Sequence, residues 1–480
     1  MTGSNKTKSG TVLVYVLVMM SVSSIVLLSL MQYITSQIRF GYSRVEKDQS
    51  FHVAEAGIQY YRWYLAHGTS GKTAQQIQDF WDNDPLGVNA PYEADFEGIG
   101  KYSINVDPPS YGSTIVTVRS TGWTNKMPET KRTIQVRFRR PSWSEYIFLS
   151  NSFINFGDQA EVYGKVHSNG GVRFDGLAHN VVSSLKATFD DPSYGGNRQE
   201  FGVHTTDNPA DPGAPAYPWP AGTVPVRPDV FEAGREFPVP EVSFSGVTTD
   251  LANMKAQAQG GFGKYLENTG YGWRIKFKTD GTFDACVVEK ANDNTHVISK
   301  YRRTGGTGTC DSCSGQCLAN YPIPNNGIIF VENNAWVEGT INKRRVTVVA
   351  ANLSGGGGQK DIYIGISNSN LRYAAYDCDN MLGLIAQRDV RVLGQCPDDF
   401  IVDAALIAQT GAVGINDNGF SGKNALTFNG AIASYLQPYF VHGNGGFGVR
   451  TYNFNNNLLY CPPPYFPTGT EYSVDLWEEL

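Results

Sequence analysis

An unbroken apolar stretch at positions 11–31 is the strongest pattern in the chain, and it contains no charge, proline or glycine. As an α-helix this stretch is about 30 Å long, which matches the hydrocarbon core of a bilayer. A secretory signal has a shorter apolar region followed closely by a small-residue cleavage site, and residues 32–37 contain none. We therefore expect a transmembrane helix that is retained in the mature protein.

The helical pattern continues beyond the apolar stretch, because no proline occurs before Pro85. Apolar side chains then recur at steps of three and four, which places them on one helix face. These residues are Phe51, Ala54, Ile58, Tyr61 and Leu65. The pattern predicts one long helix over 11–67 whose outer half packs on the core of its own domain.

Three segments that alternate apolar and polar residues follow the helix, at 101–106, 114–119 and 131–139. Alternation of this kind is typical of half-buried antiparallel strands. We predict a small β meander within residues 68–140, with the helical stripe covering one face of its sheet.

The remainder of the chain is rich in short apolar segments separated by Gly and Asn. We assign residues 141–322 to a β-rich body, with a Pro- and Gly-rich insertion at 190–239. In residues 323–480 the sequence LIAQ at 384–387 returns at 406–409. A repeat of this period predicts a β-solenoid, with a β-sandwich as the alternative. The fold class is therefore α+β: a long helix and small meander, then a large, mostly β body.

The seven cysteines all lie far downstream of the apolar stretch, which suits an oxidising exterior. We expect the cluster Cys310, Cys313 and Cys317 to form disulfides, with Cys286 as the nearest external partner. A second predicted bridge joins Cys378 to Cys396. Zinc binding is the weaker alternative, because no adjacent CxxC or His pair completes a ligand set.

Catalytic chemistry has little support in the sequence. The histidines are scattered, and Asp175, Asp389 and Asp403 fit turns or surfaces better than a glycosidase pair. The loop at 416–419 could supply oxygen ligands to calcium, but an Asn-Gly turn is the simpler interpretation. A net charge of −6 gives no general reason to bind nucleic acid. We expect no cofactor, no metal and no enzymatic activity.

The end of the basic leader, Lys8-Ser9-Gly10, and the sequence FHVAEAGI at 51–58, which includes Glu55, together resemble type IV prepilins. The likeness is strongest to PilX-type minor pilins and the K-type minor pseudopilins of type II secretion, whose helices carry a similar Ala-Glu-Ala segment. It implies that a prepilin peptidase removes residues 1–10 by cutting between Gly10 and Thr11, and that the new amino terminus is methylated.

Two residues depart from the pilin pattern: Thr11 replaces the common Phe, and Tyr15 stands at the fifth mature position, where most pilins have Glu. The resemblance implies a subunit that starts in the inner or cytoplasmic membrane, joins other pilins through its helix and displays an extracytoplasmic body. Without the Glu, a position at the filament tip is favoured. The alternative is a membrane-anchored β-solenoid that binds or cleaves surface glycans, which are then its partners.

Overall fold

The longest element is the helix α1, Ser9–Thr69, which runs without a break for 61 residues, or about 90 Å. Its continuity follows from its sequence, which has no proline and, between Thr11 and His67, only two glycines, Gly41 and Gly57. The long helix predicted over 11–67 is therefore confirmed. Among the described residues the shorter helices α2 (Ala74–Asp82) and α3 (Val247–Gln259) follow, with 3₁₀ turns at Trp143–Glu145 and Asn456–Leu459.

The computed structural model describes residues 9–480 except 73, 110–113, 141, 193–197, 245–246, 302–316, 357, 444 and 470–471. The strands are β1 Tyr92–Phe96, β2 Gly100–Asp107, β3 Ile115–Thr124, β4 Arg132–Arg139, β5 Phe148–Ser150, β6 Ile154–Phe156, β7 Ala160–Tyr163, β8 Val166–Ser168, β9 Val172–Phe174, β10 Leu177–Ala178, β11 Val182–Ser184, β12 Thr188–Asp190, β13 Gln199–Phe201, β14 Val203–His204, β15 Arg235–Glu236 and β16 Lys264–Leu266. The strands that follow are β17 Gly272–Phe277, β18 Thr282–Ala291, β19 Ile298–Tyr301, β20 Cys317–Pro322, β21 Ile328–Val331, β22 Asn334–Ile341, β23 Arg345–Ala350, β24 Ile362–Ile364, β25 Leu371–Tyr373, β26 Met381–Ala386, β27 Val390–Val392, β28 Asp399–Ala408, β29 Val413–Ile415, β30 Gly422–Ser434, β31 Val441–His442, β32 Gly445–Phe454 and β33 Ser473–Glu479.

The first sheet is antiparallel, in the order β1-β2-β3-β4-β33. Its strands β2, β3 and β4 correspond to the three predicted segments, and the outer half of α1 packs across them. The fifth strand comes from the end of the chain, which the sequence analysis assigned to the solenoid. Salt bridges such as Arg137 to Asp475, at 2.6 Å, link β4 to this last strand.

The second sheet is a β-solenoid whose stacked strands are parallel and in register, with antiparallel additions at β18 to β20 and at β31. The repeat found in the sequence marks its coils, because Leu384 lies beside Leu406, and Leu406 beside Ile432. Each of these side chains is almost fully buried. Stacking like side chains at one register position buries a continuous apolar core, so the β-solenoid was the correct choice over the β-sandwich.

The first strand of the solenoid, β5, pairs with the late strand β30 in the middle of the stack. One face runs in the order β16-β21-β23-β26-β28-β30-β5-β8-β11-β15. The chain thus enters the stack at β5 and adds strands on one side of β5 as far as β15. It then continues at the opposite end of the stack with β16, and later strands follow in order back toward β5, so that Ile432 lies beside Phe148. Strands on both sides of the expected boundary at 322 therefore belong to one sheet.

The Pro- and Gly-rich segment at 190–239 adds strands to the solenoid in its described residues, one of them to the large sheet and another to a separate three-stranded sheet of β14, β9 and β6. Its strand β14 pairs with β9 and its strand β15 pairs with β11, both in parallel. Phe201 and Phe231 are buried there. Strands of two or three residues are too short to show alternation, so the sequence suggested only a surface insertion or linker.

Glu332 ties the helix α3 to the solenoid from a position that is almost fully buried. Its carboxylate accepts hydrogen bonds from Lys255 Nζ on α3, from the Tyr265 hydroxyl and from the Ser354 hydroxyl, each at 2.7 Å. Burial alone would raise the pKa of Glu332, but these donors outweigh it and lower the pKa to about 2.

We expect the variant Glu332→Gln to lose about 2 kcal/mol of stability at pH 7, since it removes charge-assisted hydrogen bonds. The folded-state pKa lies below the ordinary value of 4.5, so this contribution is present above pH 4.5 and disappears as the pH falls toward 2. Urea unfolding at a series of pH values measures the difference. The control Glu289→Gln removes an exposed carboxylate 2.9 Å from Lys300 and should cost less than about 1 kcal/mol. A constant difference between wild type and Glu332→Gln from pH 7 to pH 2 would contradict this account.

Candidate functional site

None of the described residues covers the first half of α1. The large apolar side chains between Val12 and Val45 are all exposed, including Tyr15, at 71%. Within the described part of the chain, this is the one helix long and apolar enough to cross a membrane. Gly10 and Thr11 lie in its first turn. An apolar surface of this extent is stable in water only when something apolar covers it.

The second half of the same helix is packed on the five-stranded sheet. Ala54, Ile58, Tyr61 and Leu65 are at most 5% exposed and form its core with the inward-facing residues of β2, β3 and β4. Phe51, the first residue of the predicted stripe, is half-buried. Its ring meets the last strand instead.

Phe51 packs edge-to-face on Trp477 of β33, with ring centroids 5.9 Å apart. Glu55 lies away from the sheet and contacts His52, with Oε2 3.0 Å from Nδ1. The Ala-Glu-Ala segment therefore presents its alanine at position 54 to the sheet and its carboxylate to the opposite side.

Two glycines allow the helix and the sheet to approach closely. A Cβ atom on Gly57 of α1 would lie 2.2 Å from the Ser120 hydroxyl oxygen, and one on Gly122 of β3 would lie 2.3 Å from the Ala54 backbone nitrogen. Neither residue stood out in the sequence. Their role depends on which strand lies opposite the helix, which only the folded arrangement defines.

Two of the predicted disulfide cysteines are not joined to each other. Cys378 is bonded to Cys461, and Cys396 is free and buried. The predicted Cys378–Cys396 bridge was therefore wrong. Cys396 lies in the solenoid core, where burial raises the pKa of its thiol to about 12. Cys461, the actual partner of Cys378, lies in the C-terminal tail that returns along the solenoid.

The structure describes only part of the predicted cysteine cluster. Cys310 and Cys313 lie outside the described residues. Cys286 is disulfide-bonded, and its strand β18 pairs with β20 so that Cys286 stands opposite Cys317.

Asp175 and Asp389 both serve to hold turns of the solenoid. Asp175 accepts hydrogen bonds from the backbone N–H of Thr206 at 2.7 Å and from Arg173 at 2.7 Å. Burial would raise the pKa of Asp175, but these donors lower it. Asp389 accepts from the backbone N–H of Ala412 at 2.7 Å. Both carboxylates are occupied by donors of the protein itself.

Asp403 is fully buried, although the sequence favoured a turn or surface position for it, and its carboxylate is surrounded by donors of the protein. It accepts from the Tyr373 backbone N–H at 2.8 Å, the Tyr376 hydroxyl at 2.9 Å and the Asn429 amide at 2.7 Å, and it pairs with Arg372 at 3.2 Å. A carboxylate so covered has no surface for a substrate, so it fits a structural role.

The loop at 416–419 is organised by hydrogen bonds of its own. The Asn416 side-chain amide donates to the carbonyl oxygens of Asn418 and Asn294, at 2.8 and 3.1 Å, and Asp417 lies 3.1 Å from His442. Among the described residues, no group of three or more His, Cys, Asp or Glu side chains is arranged to hold a metal. The loop has the character of an Asn-Gly turn.

No family model and no curated protein matches the chain. Among solved structures, it is similar to the competence-associated pilin ComZ from Thermus thermophilus. The alignment covers 91% of this chain and 98% of that chain, at 14% sequence identity and a TM-score of 0.32. At this level the likeness carries no inference about function, which we draw from the residues of the chain itself.

Proposed function

We propose that this chain is a non-catalytic, pilin-like subunit of a type IV pilus or of a related type II secretion filament. The observation that carries the proposal is the division of one continuous helix into two environments. Residues 12–45 expose their large apolar side chains, whereas Ala54 to Leu65 are packed on a small antiparallel sheet. A filament core made of such helices would cover the exposed half.

A simple membrane anchor would account for residues 12–31 but not for the rest of the exposed segment. Ile34, Ile38, Phe40 and Tyr42 continue the exposed apolar surface beyond one bilayer thickness. In a filament, neighbouring helices supply apolar contacts along this whole length. The unbroken helix would then hold the sheet and the solenoid at a fixed distance from the core.

We propose that the body is extracytoplasmic. The bridge between Cys378 and Cys461 and the disulfide-bonded state of Cys286 both favour an oxidising compartment. The apolar helix would hold the subunit in the membrane before assembly. After assembly the solenoid would be displayed on the cell-surface filament.

A position at the filament tip is the most consistent one for this subunit. In pilins, the Glu at the fifth mature position is thought to neutralise the amino terminus of a neighbour inside the apolar core, where an unpaired charge is costly. Tyr15 carries no such charge, and its side chain is exposed on the helix. A subunit with no neighbour ahead of it has no amine to neutralise.

The variant Gly10→Val tests both processing and assembly. In the wild type we expect removal of residues 1–10, an N-methylated Thr11 and recovery of the protein in sheared filaments, with immunogold label at one end. The bulky side chain beside the cleavage site should leave the leader in place and the protein in the membrane. Intact-mass spectrometry of the membrane and sheared fractions measures this.

Gly3→Val is the matched control, because it makes the same change within the leader but away from the cleavage site. It should be processed and assembled like the wild type. An intact Met1 on wild-type protein, or its absence from sheared filaments, would remove the filament proposal. Gold along the whole shaft would remove the tip position alone.

A further inference from the structure

A polar cavity of about 330 Å³ opens on the flank of the solenoid, where the β18–β19 turn meets the edges of β22 and β24. Its lining includes Tyr271, Asn292, Asp293, His296, Gln359 and Tyr363. Its volume is at the lower end of the range for small-molecule sites, about 300 to 1,000 Å³. The proposed filament function makes no use of it.

The back of the cavity is a column of stacked rings. Tyr363 lies between His296, with centroids 4.5 Å apart, and Trp336, with centroids 4.9 Å apart. Trp336 and Tyr363 are each 1% exposed, so His296 is the ring of the column that a ligand could reach. Burial lowers the pKa of His296, which keeps the imidazole neutral at pH 7 and able both to donate and to accept a hydrogen bond.

The turn that carries His296 is held in an uncommon backbone conformation. His296 has a φ of 54°, in the left-handed region that non-glycine residues rarely adopt. The Asn292 side chain fixes this turn by accepting from the backbone N–H groups of Asn294 and Thr295, both at 2.9 Å, and Trp336 donates to the His296 carbonyl at 2.9 Å. Strained positions that the surrounding structure holds in place cluster at binding sites.

The charges inside the cavity are balanced. Asp361 is buried and bonded to Arg388, and it also accepts from the Tyr363 hydroxyl at 3.1 Å. Lys360 and Asp293 contribute one charge of each sign. Since the lining carries two acidic and two basic groups, it favours neither an anion nor a cation.

The mouth of the cavity offers short polar groups beside an aromatic ring. Asn292, Asp293 and Gln359 are exposed, and the hydroxyl of Tyr271, itself 40% exposed, lies 3.4 Å from Asp293. Amide, carboxylate and hydroxyl groups of this kind donate to and accept from several hydroxyls at once.

We propose that this cavity binds one or two sugar residues of a neutral extracellular glycan. Asn292, Asp293 and Gln359 would meet the sugar hydroxyls, and His296 and Tyr271 would pack against the ring. The subunit would then carry a glycan-binding site on a body that the helix α1 displays away from the membrane.

Binding can be measured with the full-length protein in detergent micelles, independently of any filament. The probe is a printed array of neutral and acidic oligosaccharides, followed by titration of the best binder. We expect binding among the neutral glycans. The double variant Asp293→Ala with Gln359→Ala should weaken it at least tenfold.

The matched control is Asp158→Ala with Gln159→Ala, which makes the same changes at exposed positions elsewhere on the solenoid. It should bind like the wild type. Thermal unfolding will establish that the double variant at Asp293 and Gln359 is folded. If the double variant does not fold, the single variant Gln359→Ala takes its place and is expected to weaken binding severalfold. Lack of binding to any neutral glycan, a preference for acidic glycans, or unchanged binding by a folded variant at Gln359 would each overturn the proposal.

Discussion

Replacing Cys461 by Ser should lower the free energy of unfolding by about 4 kcal/mol, the largest single effect we expect. The bond from Cys378 to Cys461 spans 83 residues, and closing a loop of this length restricts the unfolded chain by roughly that amount. Urea unfolding of the non-reduced protein in mild detergent measures the change. The double variant Cys378→Ser with Cys461→Ser should resemble the single variant, because both break the same bond.

Cys396→Ala is the control for this effect. It removes a sulfur that is buried but free, so it leaves the loop closed and should cost only about 1 kcal/mol for the lost packing. If Cys396→Ala destabilised the protein as strongly as Cys461→Ser, or if the two serine substitutions at 378 and 461 were additive, the pairing described here would be incorrect.

Gly57→Ala should cost about 3 kcal/mol, although alanine is the better helix former. The new methyl group would lie 2.2 Å from the Ser120 hydroxyl oxygen and 3.0 Å from the Tyr102 ring, so these buried side chains, or the helix itself, must shift to make room. The midpoint of urea unfolding, followed by tryptophan fluorescence, measures the loss.

Gly41→Ala makes the same change in the same helix at a position with no atom within 4 Å of the new Cβ. Only helix propensity acts there, so stability should stay within about 1 kcal/mol of the wild type. Equal effects at the two glycines would show that the helix does not pack on the sheet through Gly57.

The elements that the sequence predicted well are those whose periodicity extends over many residues. The helix was visible from its apolar stretch and from the stripe ending at Leu65. The strands β2 to β4 were visible from alternation, and the solenoid from the return of Leu384 as Leu406. In each case the same alternation of buried and exposed positions recurs several times along the sequence.

The features that the sequence did not predict depend on residues brought together from distant positions. The last strand pairs with β4 across more than 300 residues, and the cavity combines a turn at His296 with strands that carry Trp336 and Tyr363. The partner of Cys378 was misjudged because proximity in sequence favoured Cys396. Neither periodicity nor spacing carries information on such contacts.

The pairing of β33 with β4 makes the first sheet depend on a segment that is synthesised more than 300 residues after β4. The helix α1 and strands β1 to β4 are all made by the time residue 139 is added, but the edge of β4 stays open until residues 473–479 arrive. A chain that stops anywhere within the solenoid would keep the helix α1 and yet expose that unpaired edge, the kind of surface that aggregates or attracts proteases. The sheet that packs on the second half of α1 therefore distinguishes chains that contain residues 473–479 from chains that stop before them.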